Sequence, residues 1–180
     1  MDVFLEQEAF LGLLLSAVET YKRECFGSLL GYSTKNRIVV ELAIPTQVAD
    51  RRYSTVEPNW NRLAQSEKIL SEHTSFSHLG YFHSHPQFGQ KRYGTTQSKQ
   101  DIESMKDSEL EIIVAINDRL RSQRWRIVQK ELRGSTEDHS IRIAAYHMID
   151  GKIAKYPIYC PFATGLPIAN KWTRRQVADL

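Results

Sequence analysis

A mixed α+β fold, with helices layered on a sheet, is what this chain of 180 residues predicts. Three features carry that expectation. Apolar residues near the N-terminus recur at helical spacing, and later runs rich in Ile, Val and Leu read as half-buried or fully buried strands. Asp150-Gly151, set between two such runs, is a strong two-residue hairpin signal. The length favours one domain with a continuous core, and 41% hydrophobic with 25% charged residues is the composition of a folded globular chain.

The elements follow in order. A brief strand at 3–5 precedes a helix over 6–23, with Leu11, Leu14, Leu15, Val18 and Tyr21 on one side. Residues 25–32 read as a strand, 33–36 as a turn and 37–45 as the returning strand of a hairpin. The polar stretch 46–58, with Arg51-Arg52, reads as a surface connection ending in a helix start at Glu57-Pro58, where proline suits the first turn. Trp60, Leu63, Ile69 and Leu70 make 59–72 a helix that packs on the sheet. A strand over 79–85 stops at Pro86, which cannot donate to a ladder. A helix over 99–108 precedes strands at 109–117, 125–132, 140–150 and 152–159, so the C-terminal half is mostly antiparallel sheet. Residues 1–160 are thus one domain, and 161–180 read as an extended tail.

Composition weighs against several function classes. A net charge of +3 and a pI near 8.8 are too mild to announce a nucleic-acid binder. Arg119, Arg121, Arg124, Arg126, Lys130 and Arg133 cluster around Trp125, but they read better as a solvated hairpin offset by Glu109, Glu111 and Glu131. Two cysteines, Cys25 and Cys160, make no disulfide framework, which fits a reducing cytoplasm. The apolar stretch at 9–18 follows Asp2, Glu6 and Glu8 rather than positive charges, and is too short to span a bilayer, so neither a secretory signal nor a membrane anchor is expected.

The chemistry sits in His83-Ser84-His85-Pro86 and Ser98-x-x-Asp101. Alternate side chains of a strand share a face, so His83 and His85 stand side by side at the strand's end. Two imidazoles and one carboxylate form a three-ligand set that leaves a tetrahedral zinc one open position. A lone His-x-His is more often a hydrogen-bonded pair of core residues. Likewise Ser98-x-x-Asp101 has the form of a helix capping box. A cap there still projects Asp101 from a fixed backbone.

Together with the upstream string Glu24-Cys25-Phe26-Gly27-Ser28-Leu29-Leu30-Gly31, these motifs resemble the JAMM, or MPN-plus, zinc metalloproteases of the JAB domain family, in particular their standalone bacterial and archaeal members. The resemblance implies a JAB/MPN-type, cytidine-deaminase-like mixed sheet flanked by helices. It implies one Zn2+ per chain held by His83, His85 and Asp101, with Glu24 as acid/base and Ser98 as a donor to the oxyanion. It also implies a ubiquitin-like protein or its conjugates as substrate, cut after the C-terminal glycines. The metal would lower the pKa of a bound water toward about 7. The connection 86–100 is longer than usual in that family. Thr95, Thr96 and Asp107 lie close by, but none restores Ser-x-x-Asp at the usual distance. The lengthened loop 87–97 is a candidate gate. The competing readings are a non-catalytic MPN-type scaffold and, last, a nucleic-acid module built on 119–133. The His-x-His-x-Asp-His string of metallo-β-lactamases is absent, and the chain is too short for an amidohydrolase barrel.

Overall fold

In chain order the elements are β1 (Asp2–Leu5), α1 (Gln7–Glu19), β2 (Phe26–Ser33), β3 (Arg37–Pro45), β4 (Ala49–Arg51), β5 (Val56–Pro58), α2 (Trp60–His73), β6 (Ser77–Pro86), α3 (Lys99–Ser104), β7 (Leu110–Asp118), β8 (Arg126–Val128), β9 (Glu131–Thr136), β10 (His139–Ile149), β11 (Lys152–Tyr156), β12 (Ile158–Tyr159) and α4 (Pro161–Gly165). This is a computed structural model, and it describes residues 1–46, 49–51 and 56–166. Ten strands form one mixed sheet in the order β12-β1-β3-β2-β6-β7-β10-β9-β8, with β11 also on β10. The pairs β1–β12, β1–β3 and β6–β7 are parallel, and the others in this sheet are antiparallel. The α+β expectation holds. Among the described residues no helix is long and apolar enough to cross a membrane.

The core lies between α1 and one face of the sheet. Ile112, Val114 and Ile116 of β7 belong to it, while Ile113 and Ala115 are buried on the opposite face. That two-sided burial is why β7 reads as a continuous apolar run rather than an alternating one. The buried stripe of α1 is Ala9, Phe10, Leu13, Ser16 and Ala17. Leu11 and Leu15, expected on the packed side, face outward at 38% and 59% exposure. Small residues decide this choice: a Cβ on Gly12 would lie 2.4 Å from the Ala43 carbonyl oxygen, so the helix settles on β3 along its glycine and alanines. Phe10 then meets Trp125 edge-on at 4.9 Å and Phe162 at 6.0 Å.

Several boundaries differ from the sequence reading, each for a local reason. The helix expected over 6–23 ends at Glu19, and Lys22 takes a positive φ of 76°. The expected helix start at Glu57-Pro58 is the end of β5. Helix α2 begins at Trp60, after Asn59 caps it by accepting the Arg62 N–H at 3.2 Å. Within the expected surface connection, β4 and β5 pair as a small separate sheet, and Arg52 lies outside the described residues. The expected strand 125–132 is a hairpin, β8 and β9, turned at Gln129 and Lys130 with φ of 52° and 63°. Neither residue is the Gly or Asn that announces such a turn. Expected strand 152–159 divides at Pro157: β11 stays on β10, while β12 crosses to pair with β1. The tail read as extended from 161 opens instead with α4, whose Ala163 is buried. Residues 167–180 lie outside the described residues.

The sheet register places the functional face. Leu79 is an extra residue in β6, because Leu29 faces Gly80 while Leu30 faces His78. Gly80 absorbs this bulge with a φ of +144°. Beyond it Tyr81, His83 and His85 alternate onto the face away from α1, opposite Glu111, Ile113 and Ala115 of β7. A Cβ at Gly80 would lie 1.9 Å from the Leu110 carbonyl oxygen. Gly80→Ala is therefore expected to cost about 2–4 kcal/mol through backbone strain and a parted β6–β7 ladder, read as a lower midpoint in urea denaturation.

Candidate metal centre

His83 is 8% exposed, and its ring lies against that of His85, with the two Nε2 atoms 3.0 Å apart. Asp101 faces both. Its Oδ1 lies 3.6 Å from His83 Nε2 and its Oδ2 3.7 Å from His85 Nε2. Helix α3 delivers this carboxylate through a complete capping box. Ser98 Oγ accepts the Asp101 N–H at 3.2 Å, and Asp101 Oδ2 accepts the Ser98 N–H at 2.6 Å. The helix is shorter than the expected 99–108, ending at Ser104 before the Glu109 carboxylate takes the Lys106 N–H and turns the chain into β7. Ser98 is exposed; its oxygen serves the cap and its hydroxyl hydrogen remains for donation.

The donor set fits a tetrahedral zinc. The three ligand atoms lie within 4.8 Å of one another. Two ligands about 2.05 Å from a metal at the tetrahedral angle are about 3.3 Å apart, between the 3.0 and 3.7 Å separations found here. The far sides of both rings are also held. His85 Nδ1 donates to the Gly94 carbonyl at 3.0 Å, and His83 Nδ1 lies 3.4 Å from Glu111 Oε1. With those nitrogens committed outward, two Nε2 lone pairs face each other, an arrangement that a shared cation or a trapped proton relieves.

The surrounding charges point the same way. Burial opposes a charge on His83, but Asp101, Glu111 and Glu24 around it favour one and raise its pKa. Asp101 is pulled well below the usual carboxylate range in spite of its burial, by both imidazoles and by the Ser98 N–H. Glu24 is raised, chiefly by burial, with the imidazoles pulling it down and Asp101 pushing it up. Glu111 is likewise raised, burial first. Three carboxylates crowding two imidazoles make a pocket suited to a cation.

Glu24 feels the charges of the pair, and its neighbour Cys25 is tied to the middle serine of the motif. Ser84, fully buried, accepts the Cys25 N–H on Oγ at 2.9 Å and donates its own N–H to the Cys25 carbonyl at 3.1 Å. The junction of α1 and β2 is thereby stapled to the strand bearing both histidines. His78 is outside the group, 3.3 Å from Glu67. Asp107 caps the Gly151 N–H instead.

Sequence reasoning missed what Glu111, Glu109 and Gly94 do here, and part of what Glu131 does. Glu111 and Glu109 were expected to offset the arginines, yet Glu111 faces His83 and accepts from Gln97, and Glu109 caps the turn before β7. A charged residue inside the apolar run 110–116 was the available signal, since a buried carboxylate needs a partner. Gly94 carried no such mark, and Glu131, expected to offset the arginines, does so at Arg133 but also anchors Thr95. Glu131, its side chain 3% exposed, alone meets Arg133, Arg142 and Lys155, and accepts from Thr95 Oγ1 at 2.6 Å.

A family model, described as prokaryotic homologues of the JAB domain, matches residues 6–128. The chain belongs to this family. The matched span holds Glu24, His83, His85, Ser98 and Asp101, and it ends before Glu131. The solution structure of protein DSY2949 from Desulfitobacterium hafniense resembles this JAB-domain homologue with a TM-score of 0.62 at 16% identity, covering 88% of this chain and 92% of that one. That likeness is one of fold. No curated protein matches the chain in sequence.

The ion cluster yields a pH signature. Burial alone would raise the Glu131 pKa, but hydrogen bonds from Lys155, Thr95 and Arg142 bring it from 4.5 down to about 2. A depressed folded-state value means stability that is present above pH 4.5 and lost as pH falls toward 2. Acid unfolding followed by circular dichroism is expected to show this loss in the wild type. In Glu131→Gln, stability should be lower at pH 7 and vary less over that window.

Proposed function

We propose that this JAB-domain homologue is a zinc-dependent peptidase or isopeptidase that cuts after the C-terminal glycines of a ubiquitin-like protein. The observation that carries this reading is the convergence of His83, His85 and Asp101 with Glu24 beside them. Those three side chains would hold the ion. A zinc bound there supplies Lewis acidity, polarising a carbonyl and bringing the pKa of water toward about 7.

The remaining work falls to the chain's own groups. Glu24, whose burial raises its proton affinity, takes a proton from the attacking water and delivers it to the leaving amine as the carbonyl carbon–nitrogen bond breaks. The Ser98 hydroxyl, at the first turn of α3, donates to the carbonyl oxygen as negative charge develops there. The capping box holds Asp101 and Ser98 in fixed relation, so ligand and donor move together.

The substrate class rests on the resemblance to JAMM proteases. A glycine-ending tail suits a narrow approach, because it adds beside a sheet edge without side chains to accommodate.

Metal content of the wild type and of His85→Ala, purified without chelator, tests the site. About one zinc per wild-type chain and a large loss in the variant are expected. Glu24→Gln should keep the metal and cleave a ubiquitin-like fusion about 10²–10⁴-fold more slowly. No zinc in either protein, even when it is supplied, would overturn the enzyme reading in favour of a non-catalytic scaffold. Zinc binding without cleavage of any such fusion would remove the substrate assignment.

A further inference from the structure

We infer that the long loop after β6 is a working part of the metal centre: Thr95, anchored by Glu131 and Tyr146, is a positioning residue that fixes the Gly94 carbonyl, and with it the tautomer of His85 and the affinity for metal. The inference rests on the metal site proposed above.

The chain of contacts is short. Of the two His85 nitrogens only Nε2 faces His83 and Asp101, and it can accept a metal only if the ring's hydrogen is on Nδ1. The Gly94 carbonyl, which can only accept, puts it there from 3.0 Å. Between β6 and α3 the described loop forms no strand, only an isolated bridge between Phe88 and Lys91, so that carbonyl is placed by side-chain hydrogen bonds. Before it, Tyr93 exchanges two bonds with Asn117 of β7, at 2.9 and 3.0 Å. After it, Thr95 is 2% exposed; its hydroxyl donates to Glu131 of β9 at 2.6 Å, and its carbonyl accepts the Tyr146 hydroxyl of β10 at 2.9 Å. Two residues further, Gln97 donates to Glu111, the carboxylate behind His83. One loop thus backs both imidazoles.

This arrangement differs from a mobile gate. The loop is bound to three strands of the face it covers, and holding it in place is the same act as aiming His85. Linkage makes the coupling reciprocal: a metal that fixes the His85 ring also stabilises the loop that hydrogen-bonds to it.

The test uses the full chain, labelled with 15N-histidine, as wild type, Thr95→Val and Tyr146→Phe. Each variant removes one hydroxyl that holds residue 95. Zinc affinity, measured by chelator competition, is expected to fall about tenfold, the scale found for partners behind metal-bound histidines. In metal-free protein the His85 15N shifts should change from a single Nδ1–H tautomer in the wild type toward a mixture in the variants. Trypsin should cut at the exposed Lys91 and Arg92 more slowly when the wild type is zinc-loaded. Unchanged zinc affinity and an unchanged tautomer in both variants, even with lowered thermal stability, would overturn the inference and leave Thr95 a structural residue. A wild type that binds no zinc would defeat the proposed function instead, and the tautomer readout would still decide the role of Thr95.

Discussion

Two imidazole nitrogens 3.0 Å apart, each ring's other nitrogen turned to an acceptor, are the constraint around which the rest of this site is arranged. Lone pairs do not face each other at that distance without a cation or a proton between them. Everything that places the rings there fixes this close approach: the register of β6 on β7, the bulge at Gly80 that sets which residues face outward, and the acceptors on the far side of each ring. The capping box then adds Asp101, whose carboxylate compensates any positive charge the pair attracts.

The same face of the sheet carries two buried clusters of opposite composition. At Glu131 one carboxylate is met by two arginines and a lysine, so its negative charge is fully partnered within the protein and the group stays ionised down to about pH 2. At His83 three carboxylates surround two imidazoles, and burial drives Glu24 and Glu111 toward their neutral forms. The first cluster is complete as it stands. The second gains from a bound cation, which lowers the cost of ionising each carboxylate beside it. Thr95 and the loop that carries it lie between the two, so the saturated cluster becomes an anchor for the unsaturated one.

Ser84 shows how a motif residue outside the ligand set earns its place. Its side chain and its amide both bind Cys25, which brings a helix–strand junction 59 positions away in the chain against the histidine strand. That staple fixes the backbone beside Glu24, past the end of α1. The requirement is for a small, buried residue with both a donor and an acceptor, which serine supplies.

Much of this was legible in the sequence. Alternation put His83 and His85 on one face, Pro86 marked the strand's end, and Ser98-x-x-Asp101 announced a cap; each depends on residues a few positions apart and on backbone geometry that neighbours dictate. The order of Glu24, the histidine motif and Ser98-x-x-Asp101 likewise pointed to the family. Tertiary structure alone decided which stripe of α1 is buried, because close approach at Gly12 selects it. It alone turned Gln129-Lys130 into a hairpin, sent β12 to the far edge, and gave Glu111, Gly94 and Glu131 their partners. Those outcomes depend on strand register and on loop atoms meeting across the sheet, which periodicity along the chain does not encode.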